Sequence, residues 1–137
     1  MQLRVCIDVD DLEKGIEFYR RACGLSLARR FEGGWVELAG ATVPIDLVAK
    51  APGSRPTLDS TVARTYQRHW TPVHLDFVVD DMGPALRTAV AAGAKLERDV
   101  EEKPWGRLAV LGDPFGHGFC LLEFTGRGYD EVVAPSP

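Results

Sequence analysis

Apolar and polar residues alternate from Leu3 to Val9, with Leu3, Val5, Ile7 and Val9 on one side and Arg4, Cys6 and Asp8 on the other. That period predicts a strand, because successive side chains leave a strand on opposite faces. Asp10 or Asp11 then offers a helix cap by accepting a hydrogen bond from a free N–H of the first turn. The period changes at Leu12. Leu12, Ile16, Tyr19 and Cys23 recur at helical spacing and predict a helix over Leu12 to Cys23. Gly24 supplies a left-handed stop. Two or three strands follow, among them Trp35 to Leu38 and Val43 to Ala49.

The pattern then returns. His74-Leu75-Asp76-Phe77-Val78-Val79-Asp80-Asp81 lines up with Arg4-Val5-Cys6-Ile7-Asp8-Val9-Asp10-Asp11. Leu75, Phe77 and Val79 take the core side; His74, Asp76 and Val78 take the other. A helix over Met82 to Ala92 tolerates Pro84 because it falls in the first turn, and Gly93 ends it as Gly24 ends the first. Strands are predicted near Lys95 to Asp99, Arg107 to Leu111 and Phe119 to Phe124. Asp113-Pro114-Phe115-Gly116-His117-Gly118 is a strong turn between the last two.

Each half reads β-α-β-β-β. The fold class is α+β: two βαβββ modules build a mostly antiparallel eight-stranded sheet, with the helices on one side of it. We set module one at about 1–50, a connection at about 51–72, module two at about 73–125 and a tail at 126–137. The connection opens as a loop, and a short helix is expected within Thr57 to Trp70. The tail is expected to be loosely held.

At 137 residues the chain reads as a single domain. A net charge of −4, with Lys and Arg scattered, argues against a nucleic-acid partner. No apolar run reaches membrane-spanning length, so no membrane is expected as a partner. The first residues hold no basic segment ahead of an apolar run, so no signal peptide is expected. Cys6, Cys23 and Cys120 match neither a disulfide framework nor a zinc spacing, and the expected compartment is the reducing cytoplasm.

The duplicated strand–Asp–helix–Gly pattern and the Asp113-Pro114-Phe115-Gly116-His117 turn resemble the vicinal oxygen chelate superfamily. That superfamily includes glyoxalase I, bleomycin-resistance proteins and extradiol dioxygenases. The resemblance runs from Leu3 to Phe124. It implies an open, barrel-like sheet with a ligand cleft on its concave face, and a homodimer. It leaves the activity open, because one fold hosts many chemistries.

In metal-dependent members each half supplies one ligand from its first strand and one from its last. Those positions fall on Arg4, Asp46, His74 and Cys120, and only His74 is of the expected type. Arg4 offers donors alone, and its charge repels a neighbouring cation. Cys120 is a soft thiol where a carboxylate is expected. Glu123 points away from the side of Cys120 by strand alternation. No metal is therefore favoured; a divalent ion, if bound, would use His74, Asp46 and Cys120, or Asp76 in place of Cys120.

Arg4, Cys6, Asp8, Asp46, His74 and Asp76 are the expected cleft residues, with Trp105, Arg107, Cys120 and Leu122. Charges on an inner face must be solvated or paired. Arg4 is thus expected to pair with Asp8 or Asp46, the other option being an anionic ligand group. His74 with Asp76 or Asp8 is a candidate acid–base pair. Arg107 is a candidate anion contact. Cys6 and Cys120 read better as small hydrophobes than as nucleophiles. Tyr66 and Trp70 are expected to dock the connection on the core, and His117 to be structural. The favoured function is binding of a small, partly aromatic organic molecule without metal chemistry. The alternative is a lyase, isomerase or dioxygenase centred on His74. Glyoxalase I activity is not expected.

Overall fold

A computed structural model describes residues 1–136. Strand β1 (Val5–Val9) leads into helix α1 (Leu12–Cys23). Asp11 is the cap, accepting a hydrogen bond from the Lys14 N–H at 3.0 Å, and Gly24 ends the helix at φ 66°. Strands β2 (Ser26–Phe31), β3 (Trp35–Ala39) and β4 (Ile45–Ala49) complete the first module. The alternation does not reveal β2, because its pairing with β3 shifts register between Leu27 and Arg29. Such a bulge breaks the period-two pattern.

The second module repeats the order with β5 (Leu75–Val78), α2 (Met82–Ala92), β6 (Lys95–Lys103), β7 (Gly106–Gly112) and β8 (Gly118–Phe124). Asp81 caps α2 by accepting from the Gly83 N–H. Two register shifts interrupt β6, which runs well past its expected end at Asp99.

The α+β architecture with two βαβββ modules is thus present. Its eight strands fall into two four-stranded sheets, ordered β1-β4-β3-β2 and β5-β8-β7-β6. In each, one parallel pair (β1 with β4, β5 with β8) joins two antiparallel pairs. No ladder joins β1 to β5 among the described residues. One reason is local: the Asp8 carbonyl on β1 meets His117 Nε2 at 2.7 Å instead of a strand.

One apolar core spans both modules, between the helices and the sheets. Phe18 of α1 meets Phe115 and Phe119 edge to face, with ring centroids 6.3 and 6.2 Å apart. Tyr19 of α1 donates a 2.6 Å hydrogen bond to buried Asp113 in the turn before β8.

Two expectations change. The connection has no helix within Thr57 to Trp70; it is an irregular strap. It is fixed by side chains: Arg64 pairs with Asp8, the Tyr66 hydroxyl donates to the Lys50 carbonyl, and Arg68 pairs with Glu97. The tail is not loose throughout. Gly128–Val132 forms a 3-10 turn that lays Tyr129 against Trp105 and Phe124, with centroids 5.2 and 4.7 Å apart. Aromatic stacking across a chain reversal carries no periodic signal, so the sequence pattern hides it. Pro137 lies outside the described residues.

Candidate functional site

Leu108 on β7 faces Leu122 on β8, and Val110 faces Cys120, because cross-strand partners share a face. The helices cover the other face of this sheet, so these four side chains floor a hollow of about 570 Å³. Its walls are aromatic: Trp70 from the strap, Trp105 before β7 and Tyr129 from the tail. Its polar rim is His74, Asp76, Glu97 and Arg98. The volume lies in the range that holds an organic ligand, and an apolar floor with a few polar groups is the usual lining.

The strap wall is held firmly. Arg68 Nη2 donates to Glu97 at 2.8 Å, Trp70 Nε1 donates to the same carboxylate at 3.0 Å, and the Arg68 guanidinium lies 4.5 Å from the Trp70 ring centre. Room for this comes from missing side chains. A Cβ on Gly118 would stand 2.7 Å from the Trp70 ring, and one on Gly112 would stand 2.8 Å from Arg68 Nε. Trp70 therefore walls the hollow, while Tyr66 alone makes the expected core contact.

His74 Nε2 lies 3.2 Å from Asp76 Oδ1 at the rim. Burial, then the nearby Asp76 charge, pushes the Cys120 thiol up to about 11. One donor atom from each of the three lies within 4.8 Å of the others. Asp46, named with His74 and Cys120 in the expected metal set, is not in this group; it belongs to the other sheet. The three donors do not fit a hard, oxygen-preferring ion. They offer a single carboxylate, and Cys120 keeps its proton at neutral pH. Only a softer ion such as zinc would suit them, at the cost of that proton.

Module one carries the pseudo-symmetric row. Cys6 faces Asp46, Asp46 faces Glu37, and Glu37 faces Arg29. Arg4 donates through Nε and Nη2 to Asp46 at 2.9 and 2.6 Å, and through Nη2 to Glu37 at 2.6 Å. Arg29 adds two bonds to Glu37, at 3.0 and 2.6 Å. Of the two expected partners of Arg4, Asp46 is real, whereas Asp8 goes to Arg64. Glu37 was not foreseen, because nothing local marks one glutamate on β3 as the partner of an arginine 33 residues away. The two carboxylates already hold a fixed cation, which leaves no open position for a metal ion.

Hydrogen bonds from Arg29, then from Arg4, hold the Glu37 carboxyl at about 2, below its ordinary 4.5. A depressed carboxylate stabilises the fold above the unfolded value and loses that contribution as pH falls through the folded one. We expect this network to weaken between about pH 4.5 and pH 2. Carboxyl-carbon NMR should show Glu37 titrating near the lower limit, and Arg29→Ala should raise that midpoint. An unshifted Glu37 midpoint would contradict the network.

Arg107 does not enter the hollow. It faces Glu123 on β8 and pairs with Glu102 and Glu123, on the face opposite Leu108 and Leu122. Alternation along β7 forces this, so the expected anion contact is withdrawn. Glu123 points away from Cys120 as expected and accepts from the Met82 N–H at 2.6 Å. Cys6 and Asp8 border a separate space of about 390 Å³ at the seam between β1 and β5, which His74 also touches. Of the expected cleft residues, the structure thus brings His74, Asp76, Trp105, Cys120 and Leu122 together. Trp70, Tyr129, Glu97 and Arg98 complete the hollow.

The glyoxalase-like domain family model matches residues 4–122. An anthracycline biosynthesis protein, DnrV of Streptomyces peucetius, is 30% identical over 120 residues, which are 88% of this chain and 40% of that protein. The chain therefore spans well under half of that relative's length. Among solved structures, a glyoxalase-related enzyme from Fulvimarina pelagi aligns with TM-score 0.67 at 22% identity, covering 90% of this chain and 88% of that one. The fosfomycin resistance protein FosX of Listeria monocytogenes aligns with TM-score 0.72 at 16% identity, covering 97% and 98%. With this match along nearly all of its length, the chain belongs to the glyoxalase-like domain family.

Proposed function

We propose that this protein binds a small, partly aromatic organic molecule in the hollow of module two, without metal chemistry. The observation that carries this reading is the apolar floor of Leu108, Val110 and Leu122 between walls of Trp70, Trp105 and Tyr129. Flat aromatic surfaces bury large area on such walls and gain from offset or edge-to-face contact. The relatedness to a protein named for anthracycline biosynthesis supports a ligand of this chemical kind. We further propose that it acts as a homodimer in the cytoplasm, where Cys6, Cys23 and Cys120 remain thiols. Sedimentation of the same samples used for binding would report the doubled mass.

The test uses acridone, a neutral planar tricycle, followed by calorimetry and by tryptophan fluorescence. We expect saturable binding at one site per chain, unchanged by chelators. Trp105→Ala should weaken it by about tenfold or more, the scale of losing one aromatic wall. Absence of acridone binding would sink the reading, as would a stoichiometric divalent ion whose removal abolishes it.

The 3.2 Å approach of His74 to Asp76 favours one further reading: a lyase, isomerase or dioxygenase step on the bound molecule, with the carboxylate orienting the imidazole as acid or base. That reading requires a turnover that His74→Ala eliminates.

A further inference from the structure

The charges around the hollow are not evenly answered. Glu97 already holds Arg68 and the Trp70 N–H. Arg98 already lies 3.1 Å from Glu101. Asp76 meets only the His74 imidazole and the Cys120 thiol, and no lysine or arginine pairs with it among the described residues. Asp76, Cys120, Val110 and Arg98 form one cross-strand row over β5, β8, β7 and β6. Three strand spacings put the backbones at the ends of that row about 14 Å apart, and no ion pair joins Arg98 to Asp76.

A ligand lying on the apolar floor would cover Asp76 and strip its water. An uncompensated carboxylate makes that costly, and an anionic ligand adds repulsion. A cationic group placed there removes the penalty, and the same cation is attracted by the faces of the tryptophan and tyrosine walls. From this juxtaposition of an unanswered carboxylate with three aromatic side chains, we infer that the hollow selects planar aromatic molecules bearing a cationic nitrogen, with Asp76 as the residue that reads the charge. This rests on the binding reading above and names its ligand class.

The binding assay is run at low salt with three probes of similar shape: proflavine (cationic), acridone (neutral) and anthracene carboxylate (anionic). Proflavine should bind about tenfold more tightly than acridone, and anthracene carboxylate more weakly than either. Asp76→Asn, which preserves size at the rim, should bring the proflavine-to-acridone affinity ratio from about tenfold to about one. Equal affinity for acridone and proflavine would overturn the charge reading and leave the aromatic site standing. A proflavine advantage that survives Asp76→Asn would overturn the role of Asp76. Failure of acridone itself to bind would remove the site and the inference together.

Discussion

Asp113→Ala is expected to cost about 3–5 kcal/mol of folding stability, the scale seen when a buried charged acceptor leaves its donors unpaired. Asp113 is buried and answers three donors. The Tyr19 hydroxyl donates to Oδ2 at 2.6 Å, and the Phe115 and His117 N–H groups donate to Oδ1 at 2.8 Å each. The first bond reaches across from α1, so the residue both shapes the turn before β8 and fastens one module to the other. A loss of this size is a large part of the stability of any domain and would lower Tm by roughly 10–20 °C. Tyr19→Phe removes a single donor, leaves both backbone bonds in place and should cost about 1–2 kcal/mol. Urea unfolding of the two variants and their combination measures the coupling. A loss below about 1 kcal/mol for Asp113→Ala would mean that the turn is held by other contacts.

Gly106→Ala should be at least as damaging, at about 3 kcal/mol or more, through a different cause. Gly106 opens β7 at φ 146°, a conformation that side chains rarely adopt. It also pairs directly with Phe124 on β8, and a Cβ there would fall on the Glu123 carbonyl oxygen and stand 2.9 Å from its carbon. Both partners are backbone, so neither can rotate away. The strand must shift, and with it the neighbouring Trp105 that walls the hollow. Gly53→Ala separates the two contributions. Gly53 has φ 78° with nothing within 4 Å of the added carbon, so it reports backbone strain alone, about 1 kcal/mol. If both variants unfold at the same denaturant concentration, the close approach to Glu123 is not what makes Gly106 necessary.

The helices were legible because their signals are local. Asp11 and Asp81 cap the helices they precede, and both run over the residues that spacing predicts, Leu12–Cys23 and Met82–Ala92. The paired aspartates and the two glycine stops also exposed the duplication, and with it the family. Strand edges and irregular contacts were less legible. Bulges hid β2 and shortened β6 in the pattern, because one extra residue inverts the inside–outside alternation that reveals a strand.

The candidate site divides in the same way. Alternation put His74 and Asp76 on one face of their strand and Glu123 on the side away from Cys120, and the family resemblance put Cys120 with His74. Alternation said equally that Arg107 must oppose Leu108, yet the expected anion contact overlooked it. No sequence rule indicates that Arg4 meets both Asp46 and Glu37, that Arg64 and not Arg4 answers Asp8, or that the strap and the tail bring Trp70 and Tyr129 to the same hollow.

The amino-acid order by itself determined two like modules, the ends of their helices and the faces of their strands, since caps, glycine stops and periodicity act over a few residues. Tertiary structure alone decided which charges around the two sheets cancel and which do not. Ion pairing depends on which strands become neighbours, and here those strands come from distant parts of the chain. It gave Asp46 and Glu37 of module one to Arg4 and Arg29, and it left Asp76 of module two beside aromatic walls with no lysine or arginine paired to it among the described residues.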